Sequence, residues 1–168
     1  MKNIFILIAV LFITACDFSK NQNPFNLPKY EQTLTHKAYH YIDINEQEDR
    51  TLIKDIMGVD PVLTEWCAAF VNMILLENNI PTSESVSDYP LLARSFLDWG
   101  FEVKEPAKGD IVVFKRGESW QGHVGFYVST SKDQNGKEYY NILGGNQDDS
   151  VNISQYPASR VLSIRRYE

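Results

Sequence analysis

The pattern of apolar and polar positions divides the chain into blocks of different period. Residues 4–13 are apolar without interruption. Residues 17–34 follow with Asn21, Asn23, Asn26, Pro24 and Pro28 and no sustained apolar spacing, the pattern of a tether. As a flexible coil this stretch would span roughly 25 Å, and at most about 60 Å when extended. Between residues 35 and 56, Ala38, Tyr39 and Ile42, then Leu52, Ile53 and Ile56, predict two helices separated around residues 43–48. The strongest helical signal is residues 64–79, with Thr64 as N-cap, Glu65 in the first turn and Asn78 and Asn79 at the end. Its apolar residues point in nearly every direction around the axis, which marks a helix buried in the core. A short helix is expected at residues 91–99, stopped by Gly100.

The period then changes. Residues 111–114, 123–128, 139–143 and 161–164 are short β-rich runs with turn residues between them, and Asn135-Gly136 is a hairpin signal between the second and third. Helices first and antiparallel strands second predict an α+β domain. Within the second run, alternation puts His123, Gly125 and Tyr127 on one face and Val124, Phe126 and Val128 on the other. Gly125 leaves room beside His123 for another element.

The first apolar block changes how the rest is read. It is ten residues long, preceded by Lys2 and free of acids, which is the form of an export signal and too short for the roughly 20 residues of a membrane-spanning helix. Ile13-Thr14-Ala15-Cys16 follows and resembles the lipobox of bacterial lipoproteins, whose signal is cut before the cysteine that then carries lipid. The expected organisation is a signal peptide over residues 1–15, lipidated Cys16 and a tether through residue 34, and one domain from 35 to 168. Removing 15 of 168 residues leaves 153, enough for one core that buries about 70% of its unfolded surface. The expected location is the cell envelope, on the periplasmic side or the cell exterior. Asp17 after the cysteine resembles the signal that keeps some lipoproteins in the inner membrane. Net charge is −6, and −7 without Lys2; no basic run exceeds Arg165-Arg166, so nucleic acid is not an expected partner. A monomer is expected.

If Cys16 is lipidated, Cys67 is the only thiol left and has no disulfide partner in its own chain. Its bland reading is a small buried hydrophobe. With Thr64 as N-cap, however, Cys67 occupies the first turn of the buried helix, where unpaired N–H groups and the helix dipole would shift a thiol toward thiolate. His123 at a strand start is either a structural histidine or a general base. Asn146, after Gly144 and Gly145, is either a turn residue or an acceptor that orients the imidazole, with Gln147 and Asp148 as alternative orienters that lie beyond the expected strand end and would have to fold back to reach His123. The order Cys67, His123, Asn146 is that of a papain-like site.

Residues 64–72 (Thr64 to Asn72, containing Trp66-Cys67-Ala68-Ala69-Phe70), 106–114, 122–127 (Gly122-His123-Val124-Gly125) and 143–147 (Gly144-Gly145-Asn146-Gln147) resemble the motif blocks of the NlpC-type and CHAP-type cysteine hydrolases of peptidoglycan. They are similar to a small bacterial and phage branch reading W-C-A-A-F-V-N, G-H-V-G and G-G-N-Q. The likeness covers residues 35–166. It implies a papain-like fold in which Cys67 is the nucleophile, His123 the base and Asn146 its orienter. By the same resemblance, peptidoglycan is the substrate, at the stem peptide or its link to muramic acid. Glu65 stands where that branch often has proline, and its charge opposes thiolate formation. Gly144 stands where many CHAP domains have glutamate.

Trp66, Trp120 and Tyr127 flank the expected site as candidate substrate contacts, and Trp120, in the polar loop 116–122, is the one not better explained as core. His36 and His40 share a helical i, i+4 spacing, but Lys37 stands where a metalloprotease helix has glutamate, so no metal and no cofactor are expected. Asp110 is expected to tie down its turn, and Asn72 to bridge buried backbone. The rival to a wall hydrolase is an envelope lipoprotein that keeps the papain-like shell without turnover, binding cell wall or a protein partner.

Overall fold

The computed structural model describes residues 29–167, with side chains from residue 34. The expected signal peptide and Cys16 lie outside the described residues. Three helices come first: α1 (Lys29–Tyr39), α2 (Arg50–Met57) and α3 (Cys67–Glu77). α1 begins inside the stretch read as tether. Two 3₁₀ segments follow, Ser83–Ser85 and Ala93–Asp98, the second where a helix over 91–99 was expected. Six strands follow among the described residues: β1 (Phe101–Glu102), β2 (Ile111–Lys115), β3 (Gly122–Lys132), β4 (Glu138–Gln147), β5 (Ser150–Pro157) and β6 (Val161–Arg166). They form one sheet in the order β1-β6-β2-β3-β4-β5, antiparallel throughout. This is an α+β domain of papain-like kind, as the sequence predicts.

Buried on nearly every side, α3 packs its apolar surface on β3 and β4 through Phe70, Ile74, Val124, Phe126 and Leu143. The opposite face of the sheet carries a smaller cluster of Val112, Phe114, Tyr127, Tyr140, Ile142 and Ile164. Alternation in β3 thus divides its side chains between the faces as its sequence predicts. The neighbour for which Gly125 leaves room is β4: a Cβ there would lie 2.5 Å from Ile142 Cγ2.

α3 starts later than its capping signal implies. Trp66, not Thr64, is the N-cap residue, without a side-chain cap bond, and Cys67 is the first helical residue. The cause is tertiary. Trp66 is fully buried and its indole Nε1 donates to Glu46 Oε2 at 3.1 Å. Burying an aromatic of this size is worth more than the ~1 kcal/mol of a serine or threonine cap.

The hairpin between β3 and β4 turns at Asn135-Gly136 as expected: Asp133 Oδ1 accepts from the N–H groups of Asn135 and Lys137, and Gly136 has φ +76°. Asp110 accepts from the Ala107 N–H at 2.8 Å and pairs bidentately with Arg166, fixing the start of β2 to the end of β6. Asn72 bridges Ser83 and the carbonyl of Pro90, the buried-backbone role its position implies.

Candidate active site

Cys67 opens α3 with only 4% of its surface exposed, at the floor of a pocket of about 320 Å³. Burial pushes its thiol up to about 11, and the nearby Glu65 carboxylate adds to the rise. The backbone N–H groups of Val124 and Ala68 and the charge of Arg116 act in the opposite direction and do not prevail. Desolvation thus works against the thiolate that the helix start favours. The sulfur lies against the N–H of Val124, the residue after His123.

His123 is 1% exposed on the face opposite α3, its ring stacked on Tyr156 at 4.8 Å, with Tyr156 stacked in turn on Phe114 at 4.9 Å. Burial brings the imidazole down to about 4, the bond it donates to Gln147 Oε1 works against the fall, and Arg116 and Arg160 add to it. Cys67 and His123 both feel the charge of Arg116, and an ionised Cys67 would help hold Tyr156 up at about 12, behind its own burial. The three groups share one electrostatic neighbourhood.

The hydrogen bonds around Gln147 determine which nitrogen of His123 carries the proton. Gln147 is 3% exposed, and its Nε2 faces three acceptors: Ile142 O at 3.2 Å, Asn152 O at 2.7 Å and Asn152 Oδ1 at 3.0 Å. With the amide nitrogen fixed there, Oε1 is left to face His123 Nε2 at 2.9 Å, and it can only accept. His123 is then the Nε2–H tautomer, and the lone pair of Nδ1 is bare. That atom is buried and has no hydrogen-bond partner among the described residues. Nδ1 is thus the ring nitrogen left open to accept a proton.

The structure puts Gln147, not Asn146, on the imidazole. Straight alternation from Gly144 would carry Asn146 to the His123 side. The β4–β5 register, however, slips between Gly144 and Gln147, so that β4 carries one extra residue. Asn146 takes a left-handed conformation with φ +55° within this bulge, and the faces of β4 exchange beyond it. A Cβ at Gly144 would meet both Gln147 Oε1, at 3.1 Å, and His123 Nε2, at 3.4 Å, which shows that the two sit on one side. Asn146 turns outward and donates from Nδ2 to Glu65 Oε2 at 2.8 Å.

Glu65 Oε2 also lies 3.8 Å from Arg116 Nη1, so Glu65 and Arg116 form a charged rim of the pocket, with Asn146 bonded to Glu65 behind it. Trp120, 60% exposed, lines the same pocket with Leu91 and Leu92. The other two aromatics do not. Trp66 is core, and Tyr127 is buried in the second cluster with its hydroxyl bonded to Thr130 Oγ1. Both were aromatic candidates by sequence distance alone, and their burial removes them as substrate contacts in this state.

His36 and His40 meet edge to face at 4.7 Å. Among the described residues no group of three or more His, Cys, Asp or Glu is arranged to hold a metal. Tyr156, Asn152 and Arg116 were not read as site residues from the sequence. Asn152 and Tyr156 lie on β5, which was not anticipated, and Arg116 ends its own short run without a motif.

Residues 59–146 match the family model described as CHAP domain, a span that contains Cys67, His123 and Asn146. No curated protein matches the chain.

Proposed function

We propose, from the premise that the chain belongs to the CHAP-domain family, whose members are usually hydrolases acting on peptidoglycan, that it cuts an amide bond of the wall by covalent catalysis on Cys67. The observation that carries this reading is the bare, buried Nδ1 of His123, held in that tautomer by Gln147 and Asn152. In the proposed reaction the Cys67 sulfur attacks the amide carbonyl carbon while its proton passes to His123 Nδ1. Burial favours the neutral forms of both groups, so in this reading proton transfer accompanies attack rather than preceding it. The Gln147 oxygen accepts from Nε2–H and steadies the imidazolium. His123 then gives the proton to the leaving amine, the C–N bond breaks and a thioester remains. Water, deprotonated by Nδ1, hydrolyses that thioester, releases the carboxylate and restores the thiol. In this reading the N–H groups at the start of α3, which have no partner within the helix, would be the donors for the developing oxyanion.

The stem peptide and the muramoyl–alanine link remain the two proposed sites of cleavage. We place the domain on a membrane through lipid on Cys16, a reading that rests on the lipobox-like segment. A mature protein beginning elsewhere, or without acyl mass at Cys16, would end it. The test of catalysis is release of soluble muropeptides from purified peptidoglycan, resolved by mass spectrometry. Cys67→Ala should release none while circular dichroism stays native, because alanine fills most of the cysteine volume and suits a helix. Release at the wild-type rate would refute the mechanism. The silent wall-binding reading draws on the burial of Cys67 and the acid at position 65, and the same assay separates it.

A further inference from the structure

We propose that the pocket above Cys67 is a subsite for a free amino-acid head group, an ammonium and a carboxylate on one carbon, with Arg116 taking the carboxylate and Glu65 the ammonium. The proposal rests on the hydrolase reading for its substrate. Its physical basis is the lining of the pocket. Leu91, Leu92 and Trp120 give it an apolar wall, and all three are exposed large hydrophobics that the fold does not cover. Its only charged lining residues are Glu65 and Arg116, side by side on the rim.

Neither charge is used up by the fold. The guanidinium of Arg116 makes no hydrogen bond among the described residues, and its one ionic neighbour, Glu65 Oε2, stands at 3.8 Å, beyond hydrogen-bond reach. A planar fork of N–H groups free of hydrogen bonds among the described residues, lining the same pocket as Cys67, is suited to bidentate capture of a carboxylate. Glu65 is 78% exposed at its side chain, yet it is held in place by Asn146, which bonds to Oε2 and leaves Oε1 for a cation. An exposed pair this loose is worth little by itself, so a ligand that replaces it loses little. A head group carrying both charges on one carbon satisfies the acid and the fork together, and its alkyl chain would lie along Leu91, Leu92 and Trp120. In wall peptides, a diaminodicarboxylic residue that is not cross-linked presents such a head at the end of its side chain. This accounts for the acid that stands in the Trp-Cys motif at position 65, where it works against the thiolate.

The test uses the full chain carrying Cys67→Ala, so that binding is read without turnover, and three synthetic stem peptides. One carries the free head, one the head with its carboxylate amidated, and one lysine in its place. Calorimetry should give the free head at least about 10-fold tighter binding than either of the others. Arg116→Gln should erase the preference over the amide, and Glu65→Gln should weaken the free head by a similar factor. Equal affinity for the three peptides, or no binding of any, overturns the subsite. Turnover is measured in parallel with Cys67 intact. Cleavage of all three at one rate with equal affinity overturns the subsite and leaves the hydrolase; selective binding without cleavage supports the subsite and overturns the hydrolase.

Discussion

Replacing Gln147 with alanine removes a side chain that faces four polar atoms, namely His123 Nε2, Ile142 O, Asn152 O and Asn152 Oδ1. The ring N–H of His123 and the carbonyl of Ile142 are left in a dry interior where an unpartnered polar group costs about 1–3 kcal/mol. Part of the Asn152 side is relieved at the strand edge, so the expected loss of stability is about 2–4 kcal/mol. That lies within the 5–15 kcal/mol typical of a domain, so the variant should still fold. The larger effect is on the base. A hydrogen bond of this kind favours the Nε2–H tautomer by about 1 kcal/mol, and its loss both admits the other tautomer and frees the ring to turn. Turnover should fall by about 10-fold to 1,000-fold, a part of the 10² to 10⁴ that general-base catalysis supplies. Muropeptide release measures the rate, circular dichroism checks the fold, and long-range ¹H–¹⁵N correlation of the imidazole reads the tautomer directly. Asn146→Ala belongs beside it. Since Asn146 holds Glu65 on the rim, that variant should raise KM and leave the His123 nitrogen spectrum as in the wild type. A scrambled tautomer and a collapsed kcat in Asn146→Ala, with Gln147→Ala unaffected, would refute the reasoning and return the third role to Asn146.

Three further outcomes follow from burial. Because the Cys67 thiol is pushed up to about 11, alkylation by iodoacetamide should be slow at pH 7 and accelerate as pH approaches that value; labelling at pH 7 as fast as a free thiol would contradict a closed, neutral site. His123 is held down to about 4 against an ordinary 6.5, so its contribution to stability is full above pH 6.5 and is lost as pH falls toward 4. That gap corresponds to ~3 kcal/mol, and a chemical denaturation series over this window should show the loss in the wild type and a correspondingly smaller one in His123→Phe. Gly145→Ala should cost about 1–3 kcal/mol in the same assay, since its Cβ would lie 2.6 Å from Trp66 Cζ3 and 2.8 Å from Phe70 Cβ; an unchanged midpoint would show that α3 and β4 can part freely there.

The elements with strong period were legible in the sequence: the buried α3, the strands around β2, β3, β4 and β6, and the Asn135-Gly136 turn. β5 was not. Its hairpin with β4 turns on Asp148-Asp149, both with positive φ (+50° and +60°), a two-residue primed turn made without the glycine that usually announces one. Val151 and Ile153 carried its alternation, too brief to stand out once the turn was missed. Cys67 and His123 could be singled out because a helix start and a strand start are local features. That Gln147, which the sequence offered only as an alternative, meets the imidazole in place of Asn146 could not be decided there, since a bulge depends on how two strands register rather than on either sequence. The direction in which the thiol shifts was likewise out of reach: the helix position is written in the sequence, while the desolvation that overrides it comes from how the domain closes around Cys67.

The strand order has a consequence for biosynthesis. β6 is made after the other strands of this sheet among the described residues, yet it belongs between β1 and β2, with Arg166 closing on Asp110. A nascent chain that has reached residue 157 holds α3, β3, β4 and β5, while β2 still offers an open edge of Ile111, Val112, Val113 and Phe114. All four are buried in the finished domain. An unpaired apolar edge of this kind pairs readily with other chains, and ribosomes add only about 5–20 residues per second, so the exposure lasts a sizeable part of a second. A product cut short before residue 161 would keep that edge permanently. For such a chain, clumping and removal by proteases would be the expected fate, whatever the condition of its cysteine and histidine.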